Sequence, residues 1–217
     1  MLITMEELPG IIMRSIMISG TATLLSTAWS LPLTIKLSLS KHPLKESLMG
    51  ILNSLVGFPT VLVGLLLYLV FSSSGPLGML RLIYTPQAII IGEALLITPL
   101  MMSLLYEVVC RSVSVYWELA ISLGASKRRA TWFVMEQTLP ELMIVLLMSF
   151  SRAIGELGVA LLVGGNIKGF TRVITTSIAL AIEAGEFDLA VFLGMVLLTM
   201  MILLATTVRL LRAWLEK

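Results

Sequence analysis

The sequence predicts an all-α integral membrane protein with five spanning helices. Of its 217 residues, 58% are hydrophobic and only 13% are charged, and the mean hydropathy is +1.01. A soluble domain of this size cannot bury so much apolar surface. A spanning helix needs roughly 20 mostly apolar residues, and five segments of the chain meet that requirement. We therefore expect a single transmembrane domain over residues 1–217, in contact with membrane lipid and with no nucleic-acid partner.

The five expected spans cover residues 11–36, 48–71, 87–108, 141–163 and 187–208. The first, second and fifth contain long runs without any charged residue, at Ser15–Ile35, Leu48–Phe71 and Leu189–Val208. The third contains Glu93 and Glu107, and the fourth contains Arg152 and Glu156.

Three prolines lie in these segments: Pro59 in the second, Pro99 in the third and Pro32 near the end of the first. A proline removes one backbone hydrogen bond and kinks a helix. An ordinary kink of a membrane helix and a role in gating both fit these positions.

The basic residues of the loops predict the orientation of the chain. Ten Lys and Arg residues lie in residues 36–48, in residues 109–140 and in the tail after residue 208, against three in the remaining loops. Because cytoplasmic loops carry the excess of positive charge, the side with ten is expected to be cytoplasmic. The N-terminus is then outside and the C-terminus cytoplasmic, as an odd number of spans requires. The acidic start MLITMEELPG is a poor signal peptide, so the first apolar segment is expected to be retained.

The chain has few residues suited to catalysis or metal binding. Cys110 is the only cysteine and His42 the only histidine, so we expect neither an intrachain disulfide nor a metal site. Asp188 is the only aspartate, and the sequence contains no HExxH or GxSG pattern of an intramembrane enzyme. It also lacks GxxxxGK[ST], so ATP and Mg would be bound by another chain. We expect no enzymatic activity and no bound cofactor.

A polar stretch between the third and fourth spans, ELAISLGASKRRATWFVMEQTLP at residues 118–140, carries an informative pattern. Glu118, Ala120 and Gly124 have the spacing of the E-A-A-x-x-x-G signature, and the stretch resembles the cytoplasmic loop of ABC importer permeases. In that family a short helix, a turn at the glycine and a second helix form the loop. The first helix docks in a groove of the ATPase subunit. The resemblance implies a type I-like permease with a cytoplasmic coupling helix in loop 109–140. It also implies an ABC ATPase partner and an extracytoplasmic binding protein.

The docking role also has a physical basis. Apolar side chains at helical spacing, among them Val115, Leu119 and Leu123, would offer a face to a groove. Gly124 permits a backbone conformation that ends the helix. Residues 127–129 are all basic and can interact with the inner leaflet or with acidic groups of a partner. The expected ATPase-coupling residues are Glu118, Leu119, Ala120, Leu123, Gly124 and Ala125.

Two features depart from the family pattern. Leu119 replaces the first alanine of the signature, and Pro140 lies 16 residues after Gly124, further than in the usual form. The helix after the turn is therefore expected to be longer or to carry an irregular step. An ordinary interfacial helix is the alternative interpretation of the whole stretch.

Residues 151–180, SRAIGELGVALLVGGNIKGFTRVITTSIAL, resemble permeases for tungstate and the related molybdate. In those proteins a span with R-x-x-x-E ends in G-G-N-I and is followed by T-R-x-x-T-T. The segments NSLVGFPTVLVGLLLYLVFSSSGPLG and YTPQAIIIGEALLITPL also resemble the tungstate type, so the resemblance covers nearly the whole chain. It implies import of an oxyanion, with tungstate favoured by GGNI and TRVITT. Molybdate, sulfate or another small anion is the alternative cargo, and a stand-alone channel or membrane assembly factor is the alternative class.

Seven residues are candidates for the translocation pathway or its gate: Arg152, Glu156, Gly164, Gly165, Asn166, Thr175 and Thr176. Arg152 and Glu156 are four residues apart and share one face of the fourth span, where they line the pathway, form a structural ion pair, or do both. Gly164 and Gly165 allow tight turns at the outer end of that span. Asn166 is expected to cap the next helix, although simple helix termination also explains this group.

The next helix is expected over Arg172–Glu183, capped by Thr171. Thr175 and Thr176 lie on it, and their hydroxyls could donate to an oxyanion. Lys168 and Arg172 could attract the anion or dock the binding protein, or belong to a solvated loop.

Two further charges, Arg14 and Glu93, lie inside expected spans at similar depth. We predict that they pair, or that they join Arg152 and Glu156 in one network; snorkelling of Arg14 to the outer interface is the alternative. Because five helices are too few to enclose a pathway, a two-fold homodimer with ten spans is expected.

Overall fold

The computed structural model describes residues 3–40 and 44–215, and within these ranges the chain is almost entirely helical and contains no strand. His42 lies outside the described residues. The α-helices are α1 (Leu8–Ser38), α2 (Leu44–Leu55), α3 (Thr60–Phe71), α4 (Pro86–Ser112), α5 (Glu118–Ser122), α6 (Lys127–Ile154), α7 (Gly158–Gly164), α8 (Ile174–Glu183) and α9 (Phe187–Leu215). A π-helix at Val113–Trp117 joins α4 to α5, and short 3-10 helices lie at Met5–Glu7 and Gly78–Leu80.

Four long helices are apolar enough to cross a membrane: α1, α4 with its extension to Ser122, α6 and α9. The pair α2 and α3 passes the same test only when taken together, and its two axes are bent by 97°. The prediction of a helical, multi-pass membrane protein is confirmed. The described residues contain four spans, or five if the bent pair counts as one.

The second expected span, residues 48–71, is not one continuous helix. Helix α2 ends at Leu55, and α3 begins at Thr60 after the sequence Val56–Pro59. Pro59 has an extended backbone, with φ −61° and ψ 118°, and immediately precedes α3. Because proline lacks the N–H that a helix interior requires, it is readily placed at a helix start. Pro59 thus marks a break rather than a kink within a helix.

The fourth expected span, residues 141–163, also needs correction. Helix α6 already begins at Lys127, contains Pro140 in its interior and ends at Ile154. Residues 155–157 interrupt it, and the short α7 follows. The residues that follow Ser126 are therefore the first part of a long helix, and Pro140 does not open a new span.

A stripe of small polar residues explains why α1 packs so closely along α4. The buried members of the stripe recur every three or four positions and are Ser15, Ser19, Thr23, Ser26, Ser30 and Thr34. Small side chains of this kind let helix backbones approach closely in lipid. Between the two helices, Ser26 Oγ and Thr98 Oγ1 share a hydrogen bond of 3.0 Å, and Trp29 Nε1 donates to Thr98 Oγ1 at 2.9 Å.

Three buried apolar clusters hold the remaining helices in place. One joins α1, α3, α4 and α7, a second joins α1, α8 and α9, and a third joins α4 and α6. Glycines make the first cluster tight, because a Cβ on Gly64 would lie 3.0 Å from the Gly158 carbonyl oxygen. The first residues of α3 and of α7 are therefore held side by side.

Candidate coupling turn and translocation site

The coupling segment is a continuation of α4 rather than a separate loop. The π-helix at Val113–Trp117 adds a local irregularity, after which α5 carries the signature residues. Such π-helical insertions are rare and are frequent at functional sites. Only residues 123–126 separate α5 from α6, so of the expected loop 109–140 just this turn is non-helical. The turn is thus attached directly to two spanning helices.

Gly124 ends α5 in a Schellman motif. Its φ is +82°, in the left-handed region that favours glycine. The Gly124 N–H donates to Ile121 O at 2.9 Å, and the Ala125 N–H donates to Ala120 O at 3.0 Å. These two bonds are the pair that defines the motif. Ser126 then caps α6 by accepting from the Arg129 N–H at 3.4 Å.

Large apolar side chains project from this turn. Leu123 is 79% exposed and Leu119 49%, while Val115 and Trp132 on the flanking helices are also exposed. We call these four residues the coupling surface. Glu118 is exposed as well, whereas Ala120 is buried and faces the protein. A T-shaped contact between Tyr116 and Phe133, with ring centroids 5.9 Å apart, ties the π-helix to α6.

Arg152 and Glu156 form an ion pair at the interruption between α6 and α7. Arg152 Nη1 donates to Glu156 Oε2 at 2.9 Å, so the predicted pairing is present. The other carboxylate oxygen, Oε1, accepts from the Gly158 N–H at 2.8 Å and from the Val159 N–H at 3.3 Å. Glu156 is 3% exposed. Its carboxylate accepts hydrogen bonds from N–H groups that have no partner within α7, and its negative charge is favourable at this positive end of the helix.

Thr175 and Thr176 are buried, and their hydroxyls are engaged within the protein. Thr175 Oγ1 donates to the Glu156 carbonyl at 2.7 Å. Thr176 Oγ1 donates to the Val173 carbonyl at 3.1 Å and accepts from the Val173 N–H at 3.0 Å. Helix α8 is therefore attached to the interruption after α6. Contact between these hydroxyls and a passing anion would require them to exchange partners.

Gly164 and Gly165 end α7 where other side chains approach closely. A Cβ on Gly164 would lie 2.6 Å from Ile89 Cδ1. Gly165 has φ +67°, and a Cβ there would lie 2.6 Å from Tyr84 Cδ1. The expected need for glycine at these two positions therefore has a steric cause.

The two capping predictions in this region are wrong. Asn166 does not cap α8; its backbone is left-handed, and its Nδ2 donates to the Thr176 carbonyl at 3.3 Å. Thr171 does not cap a helix at Arg172, because α8 begins only at Ile174. Its hydroxyl instead donates to the Gly164 carbonyl at 2.6 Å and accepts from the Ile167 N–H at 2.8 Å. Both side chains therefore hold the loop between α7 and α8 by bonding to backbone groups at residues 164, 167 and 176.

Arg14 and Glu93 do not form the predicted pair. Arg14 Nε donates to the Arg172 carbonyl at 3.1 Å, on the loop before α8. Glu93 is 2% exposed and lies beside Ser19 of α1, and its Oε2 has no hydrogen-bond partner. The predicted pairing of Arg14 with Glu93 is therefore wrong, and the network of Glu93 with Arg152 and Glu156 stays a prediction.

Sequence reasoning missed the role of Glu7. Its carboxylate pairs with Lys168, and its Oε2 lies 3.9 Å from Arg172 Nη1. Nearby, Ile3 is buried against α8 and α9, so the N-terminal segment covers the loop that carries the two basic residues. The acidic composition of this segment was the available signal, but nothing in the linear sequence indicated which cations it would meet.

The comparison with known proteins assigns this helical arrangement to a family. Residues 28–217 match the family described as the binding-protein-dependent transport system inner membrane component. The chain belongs to that family. It is a transport permease component, which makes it a membrane subunit rather than an enzyme. Within the described part of the chain, no group of three or more His, Cys, Asp or Glu residues is placed to hold a metal ion.

Individual relatives resemble the chain over most of its length. The tungstate uptake system permease protein of Peptoclostridium acidaminophilum is 43% identical over 188 residues, which cover 87% of this chain and 82% of the relative. The tungstate uptake system permease protein of Campylobacter jejuni is 36% identical over 71% of this chain and 65% of its own length. A probable anion ABC transporter permease protein of Haloferax volcanii is 31% identical over 87% of this chain and 83% of its own. A molybdenum transport system permease protein of Azotobacter vinelandii is more distant, at 25% over 74% of this chain and 77% of its own.

Proposed function

We propose that the chain is the permease subunit of an ATP-driven importer that carries tungstate across the cell membrane. The observation that carries this proposal is the 43% identity with a tungstate uptake permease, which extends over 87% of the chain. The molybdenum relative is more distant, at 25%, so molybdate remains the second candidate cargo.

The working unit is a homodimer of five-span subunits, each forming one membrane domain. The bent pair of α2 and α3 supplies the fifth span. Four or five helices enclose too little space for a pathway, and closed two-fold symmetry is the most common solution for such subunits. The excess of Lys and Arg in the loops supports an N-terminus outside and a cytoplasmic C-terminus, which places the coupling turn in the cytoplasm.

An ABC ATPase subunit binds the coupling surface on each copy. Leu119 and Leu123 fit this role because large exposed apolar side chains on a short helix insert well into a groove. ATP and Mg are held by the ATPase, since the chain itself has no phosphate-binding motif. Closure of the two ATPase subunits would draw the turns together and rock the attached helices, which exposes the pathway alternately to each side. An extracytoplasmic oxyanion-binding protein delivers the cargo.

Tungsten uptake tests the proposal directly. The chain is expressed with its ATPase and binding protein in cells that lack their own tungstate importer, and cellular tungsten is measured by mass spectrometry. We expect uptake that depends on all three components and exceeds the uptake of molybdate and sulfate. Preferred uptake of molybdate would support the alternative cargo.

ATPase activity separates the two classes of function. In a reconstituted complex, loaded binding protein should stimulate ATP hydrolysis by the partner subunit. Anion flux without any ATPase partner would instead indicate a stand-alone channel, and absence of both flux and stimulation would indicate an assembly factor.

A further inference from the structure

Two of the expected spans are interrupted at the same place in the molecule. The break between α2 and α3 and the break between α6 and α7 adjoin each other, because a Cβ on Gly158 would lie 3.0 Å from both Thr60 Oγ1 and the Val61 nitrogen. Interrupted helices at membrane depth are tolerated where they lie against protein or line a wet cavity. The paired breaks therefore mark a place where non-helical backbone and polar groups are concentrated inside an apolar bundle.

A cleft of about 400 Å³ opens between these two breaks. Arg152, Glu156, Thr60 and Gly158 supply its polar lining, and leucines of α7 supply its apolar wall. Since a water molecule takes up about 30 Å³ in the liquid, the cleft can hold a small solute with several of its waters.

The polar lining of the cleft consists mainly of hydrogen-bond donors. A guanidinium has five N–H groups in a planar fork, and Arg152 directs one of its nitrogens to Glu156. Its side chain is 37% exposed, and no other acceptor for it lies among the described residues. The Thr60 hydroxyl likewise has no acceptor in the described part of the chain. The first N–H groups of α3, at Thr60 and Val61, lack acceptors within their own helix.

The carboxylate of Glu156 does not cancel this donor excess. One of its oxygens accepts from two backbone N–H groups of α7 and the other from Arg152. Its negative charge is thus shared between the arginine and the positive end of α7, while the start of α3 adds a further partial positive charge. The formal charges of Arg152 and Glu156 cancel, and the unused N–H and O–H donors of the cleft favour an anion with several acceptor oxygens.

We propose that this cleft holds a tetrahedral divalent oxyanion transiently during its passage, bound by the Arg152 guanidinium, the Thr60 hydroxyl and the first N–H groups of α3. The inference rests on the proposed function and assigns it a site. Binding is weak, because the only full positive charge in the cleft is a guanidinium that is already paired with a carboxylate. Weak binding suits a site that the anion has to leave during transport.

Cysteine protection tests the site. The Leu161→Cys variant, at an exposed position in the apolar wall of the cleft, is made in a Cys110→Ala background, placed in phosphatidylcholine nanodiscs and labelled with a neutral methanethiosulfonate. A neutral reagent is chosen so that the charge of Arg152 does not itself change the labelling rate. Tungstate at about four times its dissociation constant should slow labelling about fivefold, since occupancy reduces the free site by 1 + [L]/Kd. The same ionic strength of sodium chloride should not.

Two controls make the result specific. Ser74→Cys, at an exposed position in the loop after α3, should label at the same rate with and without tungstate. Adding Arg152→Gln to the Leu161→Cys variant should abolish the protection. If that double variant does not purify as a folded protein, Arg152→Lys replaces it, and protection should then weaken because the planar fork is lost.

The outcomes separate this site from the function as a whole. Failure of the reagent to reach the Leu161→Cys position would overturn the site and leave the proposed function standing. Labelling that tungstate leaves unchanged, while cells still accumulate tungsten, would do the same. Protection by molybdate or sulfate but not by tungstate would keep the oxyanion site and overturn the proposed cargo. Slow labelling in anionic-lipid nanodiscs but not in phosphatidylcholine, with no effect of tungstate in either lipid, would assign the cleft to an anionic lipid headgroup and refute the proposal.

Discussion

Replacing Gly124 by alanine tests whether the geometry of the coupling turn is needed for the ATPase to bind. The backbone of Gly124 has φ +82°, and an added Cβ would meet no atom within 4 Å. The change therefore introduces no clash, and its cost is the strain of a left-handed alanine, about 1–2 kcal/mol. If the ATPase binds only the intact Schellman turn, a strain of about 1 kcal/mol weakens association about fivefold.

Proline at the same position gives a larger effect. Its ring fixes φ near −65°, which is incompatible with the turn, and it removes the N–H that donates to Ile121 O. A cost of about 3 kcal/mol or more should abolish detectable association. Asparagine tolerates the left-handed region better, so Gly124→Asn should lie close to the parent protein.

Gly185 offers a matched control. It ends α8 with φ +73°, an added Cβ there would also meet nothing within 4 Å, and its N–H donates to Ile182 O at 3.0 Å. Gly185→Ala should therefore carry the same local strain without changing ATPase binding. Association is measured by titrating purified ATPase subunit onto each variant in nanodiscs, after protease protection has established normal insertion. Equal affinities for the two alanine variants, or retained binding by Gly124→Pro, would refute the reasoning.

Three further predictions follow from the charges and glycines of the bundle. Glu156→Gln should destabilise the purified protein by about 1–3 kcal/mol and by more than Arg152→Gln, because each change leaves one charge of the ion pair without its counter-ion but only Glu156→Gln also weakens the cap of α7; the reverse order in thermal unfolding would contradict this. Exchanging the charges of Arg14 and Glu93 in a double variant should rescue neither folding nor transport relative to the single charge reversals, because Arg14 bonds to a loop carbonyl instead. Clear rescue in a double-mutant cycle would show that the two residues interact. Gly164→Ala should cost about 1–3 kcal/mol through overpacking against α4, and an unchanged melting temperature would show that the contact relaxes freely.

Some features of the fold could be predicted from the linear sequence because they depend on local composition. Uncharged apolar runs, such as Leu189–Val208, predict spanning helices wherever they occur. The spacing of Glu118, Ala120 and Gly124 predicts a short helix that ends at the glycine, and the backbone at Gly124 has the required conformation. The i,i+4 spacing of Arg152 and Glu156 likewise predicts an ion pair, which is present.

The interruptions were harder to predict. Hydropathy treats residues 48–71 and 141–163 as continuous apolar segments, since glycine, proline and a single carboxylate change an average only slightly. The sequence did contain hints, because Gly57 and Pro59 lie in the first break, Gly155 lies in the second and Gly158 directly follows it. Whether such residues break a helix depends on what replaces the lost backbone hydrogen bonds, and here the carboxylate of Glu156 provides the replacement.

The sequence by itself determined the class of the protein, the number of apolar segments and the position of the coupling turn, because composition and short-range spacing are properties of neighbouring residues. The tertiary structure alone decided which charges meet. Glu7 reaches Lys168, and Arg14 reaches the loop before α8, across more than 150 positions of the chain. The physical reason is that a charge in an apolar bundle binds the polar group that helix packing brings nearest, and that packing depends on all the helices together.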